Sequence, residues 1–115
     1  MTNFIPIFPL SIVVYPGEAL NLHIFEPRYK ELIKECIAAK KSFGIPSVIN
    51  EKLTEMGTLV SIARVDREYE NEEMDIETAG TAVFRILEII KTVPGKLYSG
   101  AIVNYPHNSR TYQKR

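Results

Sequence analysis

Few side chains in this sequence have the type and spacing that chemistry needs. The histidines are His23, inside an alternating apolar pattern, and His107, near the C-terminus. A nucleophile requires a base within reach and a third group to orient that base. The single cysteine, Cys36, falls on the apolar stripe of a helical segment, where a thiol behaves as a small hydrophobe and its pKa is pushed upward. Two histidines and one cysteine so far apart make a poor zinc set. Neither phosphate-cradling glycine pattern, G-x-x-x-x-G-K-[ST] or G-x-G-x-x-G, is present. Residues 66–77, DREYENEEMDIE, hold seven of the fourteen acids against Arg67 alone. Such a run could offer oxygen ligands to a divalent cation, but it lacks the D-x-D-x-D-G spacing of a calcium loop and reads as a solvated hairpin tip. The sequence therefore predicts no catalytic residue, no metal site and no cofactor.

The densest polar-aromatic cluster is Phe25-Glu26-Pro27-Arg28-Tyr29. Two readings are open. In one, Phe25 and Tyr29 anchor a helix to a sheet, and Glu26 caps or pairs at the helix start, where negative charge is favoured. In the other, this corner walls a groove for extended peptide, with Arg28 donating to carbonyls or to an acid. Arg64 and Arg85, each within an apolar strand, are expected to pair with Glu26 or another acid.

These residues need elements to position them. Ala19 to Ile24 alternates, with Leu20, Leu22 and Ile24 on one face and Asn21 and His23 on the other. A first strand over residues 4–10 is expected at an edge, because Pro6 and Pro9 cannot donate to a ladder. Tyr15-Pro16-Gly17-Glu18 suits a type II turn. A helix is predicted from Pro27 to Lys40, with Tyr29, Leu32, Ile33, Cys36 and Ile37 as one apolar stripe and Pro27 at the first position. Lys40 and Lys41 follow at its negative pole. Strands are predicted at 43–49, bent at Pro46, at 57–69, at 74–79 and 81–90 with a bulge or bend at Gly80, and at 98–105. Curved strands bent at glycine, with one packed helix, indicate a barrel more than a flat open sheet.

The chain has 115 residues, 45% hydrophobic and 24% charged, which is ordinary composition for one domain. Fourteen basic residues balance fourteen acids, so the net basic footprint of a nucleic-acid module is missing. One cysteine excludes an internal disulfide and suits a reducing compartment. No apolar run approaches the length of a membrane span. A cytoplasmic protein without a membrane partner is expected.

Several blocks resemble the Lon N-terminal, substrate-binding domain family. Ile5-Pro6-Ile7-Phe8-Pro9-Leu10 is similar to its opening P-L-F-P-L, and Val13-Val14-Tyr15-Pro16-Gly17 to its V-V-hydrophobic-P-G. Leu20 to Tyr29, LNLHIFEPRY, resembles L-x-L-x-I-F-E-P-R-Y, the most specific block. Glu55-Met56-Gly57-Thr58 and Ala79 to Ile86 follow in the family's order. The resemblance implies a stand-alone bacterial Lon-domain protein. It implies a mainly β fold with one α-helix, a PUA-like six-stranded pseudo-barrel with a mixed sheet over residues 1–106; residues 107–115, basic and poor in apolar side chains, read from their composition as a loose tail. It implies recognition of unfolded or exposed polypeptide, without the ATPase and Ser-Lys peptidase parts. Family members usually continue into a helical part, so the chain is expected to be a truncated or a minimal version, and a dimer through surface left uncovered is one expectation.

The peptide-binding residues expected from this are Tyr15, Leu20, Leu22, Phe25, Arg28 and Tyr29. The alternatives are an RNA-binding PUA-like module, for which Arg64, Arg85, Lys91 and Lys96 would have to share a basic face, and a structural or oligomerising scaffold.

Overall fold

A computed structural model describes residues 3–106. The elements run β1 (Asn3–Pro6), β2 (Ala19–Ile24), α1 (Pro27–Ala39), β3 (Phe43–Ile49), β4 (Lys52–Glu68), β5 (Met74–Ile90) and β6 (Gly100–Asn104). The six strands form one sheet in the order β1-β6-β5-β4-β3, with β2 paired to β5 beside that path. Every ladder between named strands is antiparallel. Parallel pairing occurs at two isolated bridges, Ile7 with Gly44 and Leu10 with Ser47. These draw the two outer strands, β1 and β3, toward each other without a continuous ladder between them. The sheet is a pseudo-barrel, bent round but not closed.

The two long strands carry the curvature. Gly80, expected to break a strand in two, instead lies inside one continuous β5. The register of β4 on β5 shifts there, between Leu59 and Val60, which is the expected bulge. β3 shifts register between Pro46 and Val48, because a proline contributes no donor to the ladder. β1 ends at Pro6, earlier than the expected strand over 4–10, and the chain beyond it makes single bonds in place of a ladder. Ile7 N–H donates to Ser99 O (3.0 Å), Phe8 N–H to Gly44 O (2.8 Å) and Leu10 N–H to Pro46 O (3.2 Å). Pro6 and Pro9 are the two positions with no amide to give.

α1 lays Leu32, Ile33 and Cys36 into the core, while Tyr29 is half-buried and Ile37 faces outward. It ends one residue before the expected Lys40, which takes a left-handed conformation at φ 54°. Lys40 N–H donates to Ile37 O and Lys41 N–H to Cys36 O, the Schellman pairing of a helix end, here with lysine where glycine is usual. The polar side of α1 is tied down. Lys30 Nζ donates to Asn71 O (2.8 Å), Lys34 pairs with Glu72, and Glu35 accepts from Lys96 and from the Tyr98 hydroxyl, both at 2.6 Å. The acidic 66–77 run has an exposed tip, as expected, with Glu68, Glu70, Asn71 and Glu72 facing water. It is the β4–β5 hairpin end, and part of it docks on the helix.

The turn before β2 is fixed from both sides. Gly17 has φ 89°, and Glu18 N–H donates to Tyr15 O (3.0 Å), as a type II turn requires. Gly17 N–H donates to Gly80 O (2.9 Å), and Gly80 N–H to Glu18 O (2.8 Å). Residues 17 and 18 thus face Gly80 together, a bulge with glycine in the left-handed first position. A Cβ on Gly80 would stand 2.6 Å from the carbonyl oxygen of Tyr15. Gly80→Ala is accordingly expected to push the turn off the sheet and lower unfolding free energy by about 1–3 kcal/mol. Urea denaturation measures this, and an unchanged midpoint would contradict the contact.

Candidate peptide-binding corner

The helix start is placed by aromatic packing. Phe8 is buried, and its ring stacks on Tyr29 with centroids 3.8 Å apart and planes within 4°. Tyr29 also packs on the main core cluster. Its hydroxyl pKa is raised, chiefly by burial. Arg28 lies with its guanidinium carbon 5.7 Å from the Tyr29 ring centroid and 3.6 Å from Glu26 by nitrogen to oxygen. Glu26 makes no side-chain cap on the helix. Its carbonyl accepts from Tyr29 and Lys30, so of the two expected roles it takes the pairing one.

Against this floor lies a recess of about 280 Å³, lined by Phe8, Pro9, Leu10, Leu22, His23, Phe25, Glu26 and Tyr29. Phe25 stands at its edge and is 56% exposed. Of the six expected binding residues, the recess brings together Leu22, Phe25 and Tyr29, with Arg28 beside Tyr29. Leu20 is half-buried against the core. Tyr15, 62% exposed, lines a second recess of about 330 Å³ with Val13, Ile49, Met56 and Thr58 among its other walls. The backbone there is held by Ser47 Oγ donating to Ile12 O (2.9 Å) and by Thr58 donating to Val14 O.

A polar network that sequence reasoning missed borders the first recess. His23 Nδ1 lies 2.6 Å from Asp75 and Nε2 lies 2.9 Å from Glu73. Tyr69 donates its hydroxyl to the other Asp75 oxygen (2.7 Å) and meets the His23 ring edge-on at 5.6 Å. The His23 ring stacks on Phe25 at 6.0 Å. The signal was present: His23 on the outward face of a strand, and an acid-rich segment that pairs with it. Hydrogen bonds to Asp75 and then to Glu73 raise the His23 pKa above its ordinary 6.5. Hydrogen bonds from Tyr69 and then from His23 lower that of Asp75.

Cys36 is buried with its thiol pushed up to about 11 by desolvation, which leaves it protonated and unreactive at neutral pH. Among the described residues no cluster of three His, Cys, Asp or Glu is arranged to hold a metal. Nor is any helix there long and apolar enough to cross a membrane. His107 and the rest of the basic 107–115 tail lie outside the described residues. The arginines proposed for a basic face are paired with acids, Arg64 with Asp66 and Glu77, Arg85 with Glu55 at 3.9 Å, and Lys96 is paired with Glu35.

Two predictions come from this geometry. Phe25→Ala is expected to cost less than about 1 kcal/mol of stability, because more than half of the side chain is already in water. The same change at the fully buried Phe43 should cost about 3–5 kcal/mol. Equal losses in thermal melts would mean that Phe25 is a core residue. Separately, the His23 ring should titrate above 6.5 by NMR, and Asp75→Asn should bring it back toward that value. Since the folded pKa of His23 is raised and that of Asp75 lowered, the pair stabilises the fold between the two. It is lost as pH falls through the Asp75 value and as pH rises through the His23 value. A His23 midpoint indifferent to Asp75→Asn would contradict the pairing.

Residues 5–114 match the family described as the ATP-dependent protease La (LON) substrate-binding domain. Protein cereblon of Gallus gallus is 28% identical over 90 residues, which are 74% of this chain and 20% of that protein. The crystal structure of a Lon N-terminal domain protein from Xanthomonas campestris superposes with a TM-score of 0.76 at 26% identity, covering 90% of this chain and 59% of that one. The N-terminal domain of Lon protease from the Mycobacterium avium complex superposes at 0.72 with 12% identity, covering 95% of this chain and 57% of the other, and shares the fold.

Proposed function

The chain belongs to the ATP-dependent protease La (LON) substrate-binding domain family, and we propose that it is a non-catalytic polypeptide-recognition domain. Its ligands are unfolded or exposed segments of other proteins, met in the cytoplasm as part of protein quality control. The observation that carries this reading is the corner recess. A half-exposed phenylalanine stands at the edge of an apolar hollow floored by the Phe8–Tyr29 stack, a shape suited to one apolar side chain of an extended chain. Tyr15 offers a second apolar contact further along the same N-terminal segment. The pairing of Arg64, Arg85 and Lys96 with acids favours this reading over RNA binding, which draws on a net basic face.

A reduced, alkylated and permanently unfolded protein, fluorescently labelled, is expected to bind saturably in an anisotropy titration, and Phe25→Ala should weaken it several-fold. An RNA oligomer titrated in parallel at two salt concentrations should give little signal. RNA affinity that falls steeply with salt, without polypeptide binding, would overturn this reading.

A further inference from the structure

The register of β2 shows which of its backbone groups are spent. Its ladder to β5 runs from Ala19 opposite Ala79 to Ile24 opposite Met74. One step outward, Gly80 N–H donates to Glu18 O, so Glu18 stands at a hydrogen-bonded position. Antiparallel ladders alternate. Leu20, Leu22 and Ile24 therefore bond to β5, and the amides and carbonyls of Ala19, Asn21 and His23 point the other way. Among the described residues β2 has no second ladder and no isolated bridge. All three residues are exposed. No proline, lysine or bulge within β2 blunts this edge, the usual protections of a free strand.

What flanks the edge is specific. On the core-facing side it opens toward the recess of Phe8, Leu10, Phe25 and Tyr29. On the outer side stand Glu18, Glu73, Asp75 and Glu77, against Arg64, Arg67 and the titratable His23. A strand laid on this edge would send alternate side chains to the two sides.

The geometry points to β-strand addition: a polypeptide segment that alternates apolar with basic residues pairs with the β2 edge through Ala19, Asn21 and His23. Its apolar side chains enter the corner recess, and its lysines or arginines meet the Glu73, Asp75 and Glu77 side. This rests on the polypeptide-recognition reading and gives it a mode and a preferred sequence class. A second copy of this chain is the poorer occupant, because pairing two β2 edges would bring the two acidic faces together.

The test uses a labelled ten-residue peptide alternating valine with arginine or lysine, and the same peptide N-methylated at alternate amides. Methylation removes backbone donors while keeping every side chain. The expected result is a loss of affinity of roughly ten- to a hundredfold on methylation, with hydrogen exchange at the Asn21 and His23 amides slowed by the unmethylated peptide alone. Asn21→Pro, which removes an outward-facing amide from an edge strand where proline is tolerated, should reduce binding about tenfold with the circular dichroism spectrum unchanged. Equal binding of the two peptides, with no change in exchange at those amides, would overturn strand addition while leaving polypeptide recognition standing. Failure of both peptides and of the unfolded protein would overturn both. Slow exchange at those amides without peptide, together with a mass that rises with concentration, would show a second copy on the edge and overturn the peptide as occupant.

Discussion

Everything near the Phe25 corner depends on how residues 7–10 join the two ends of the sheet. In a sheet of this order the outer strands β1 and β3 are otherwise remote, and a continuous ladder between them is absent. Ile7 donates toward the β6 side, at Ser99, while Phe8 and Leu10 donate to Gly44 and Pro46 of β3. Val48 N–H returns a bond to Leu10 O (2.8 Å). With Pro6 and Pro9 unable to donate, these are the amides the segment has, and they are divided between the two ends. That division turns an open sheet into a pseudo-barrel. It also fixes Phe8 with its ring against Tyr29, and so sets where the helix begins and where Phe25 comes to stand.

The helix holds its place by burial more than by charge. Leu32, Ile33 and Cys36 are almost wholly removed from water, and each large aliphatic side chain so buried contributes about 1.5–3 kcal/mol. The ion pairs on its other side, Lys34 with Glu72 and Glu35 with Lys96, are substantially exposed, and solvent screening leaves such pairs little stabilising effect. Their effect is on position. They hold the β4–β5 hairpin end and the 93–98 turn against the helix. The polar network beside the recess is set by the β2–β5 ladder, in which His23 lies opposite Asp75.

Local rules made much of this legible. The Pro27 helix start, the Leu32-Ile33-Cys36 stripe, the turn at Pro16-Gly17, the bend at Pro46 and the bulge at Gly80 each follow from one residue's backbone chemistry or from a 3.6-residue period. Leu22, Phe25 and Tyr29 could be brought to one corner because they are close in sequence. What was hidden depends on pairing between distant segments. His23 meets Glu73 and Asp75 through a ladder that spans some fifty residues, and no period in either segment announces its register. Tyr15 is eight residues from His23, yet the bulge at Gly17 and the bonds from Ser47 and Thr58 turn it toward a different recess. The contacts of the acidic tip with Lys30 and Lys34 were not legible, because those partners lie some forty residues away.

The interior decides where a ligand can go. Phe43, Phe84, Ile45, Ile76 and Val60 have essentially no exposure, and the core residues fall into two packed clusters, one beneath the helix and one between β1, β5 and β6. A barrel filled in this way has no lumen to offer. The recognition proposed above therefore falls to the rim, where Phe25 and Tyr15 stand in water and β2 has no second ladder among the described residues. That placement separates the two demands on the sequence. Residues that hold the fold, such as Phe43, contribute little surface, while Phe25 contributes surface and little stability. The same separation explains how an apolar side chain can remain exposed beside the recess without loosening the fold: its anchor is the helix start below it, not its own burial.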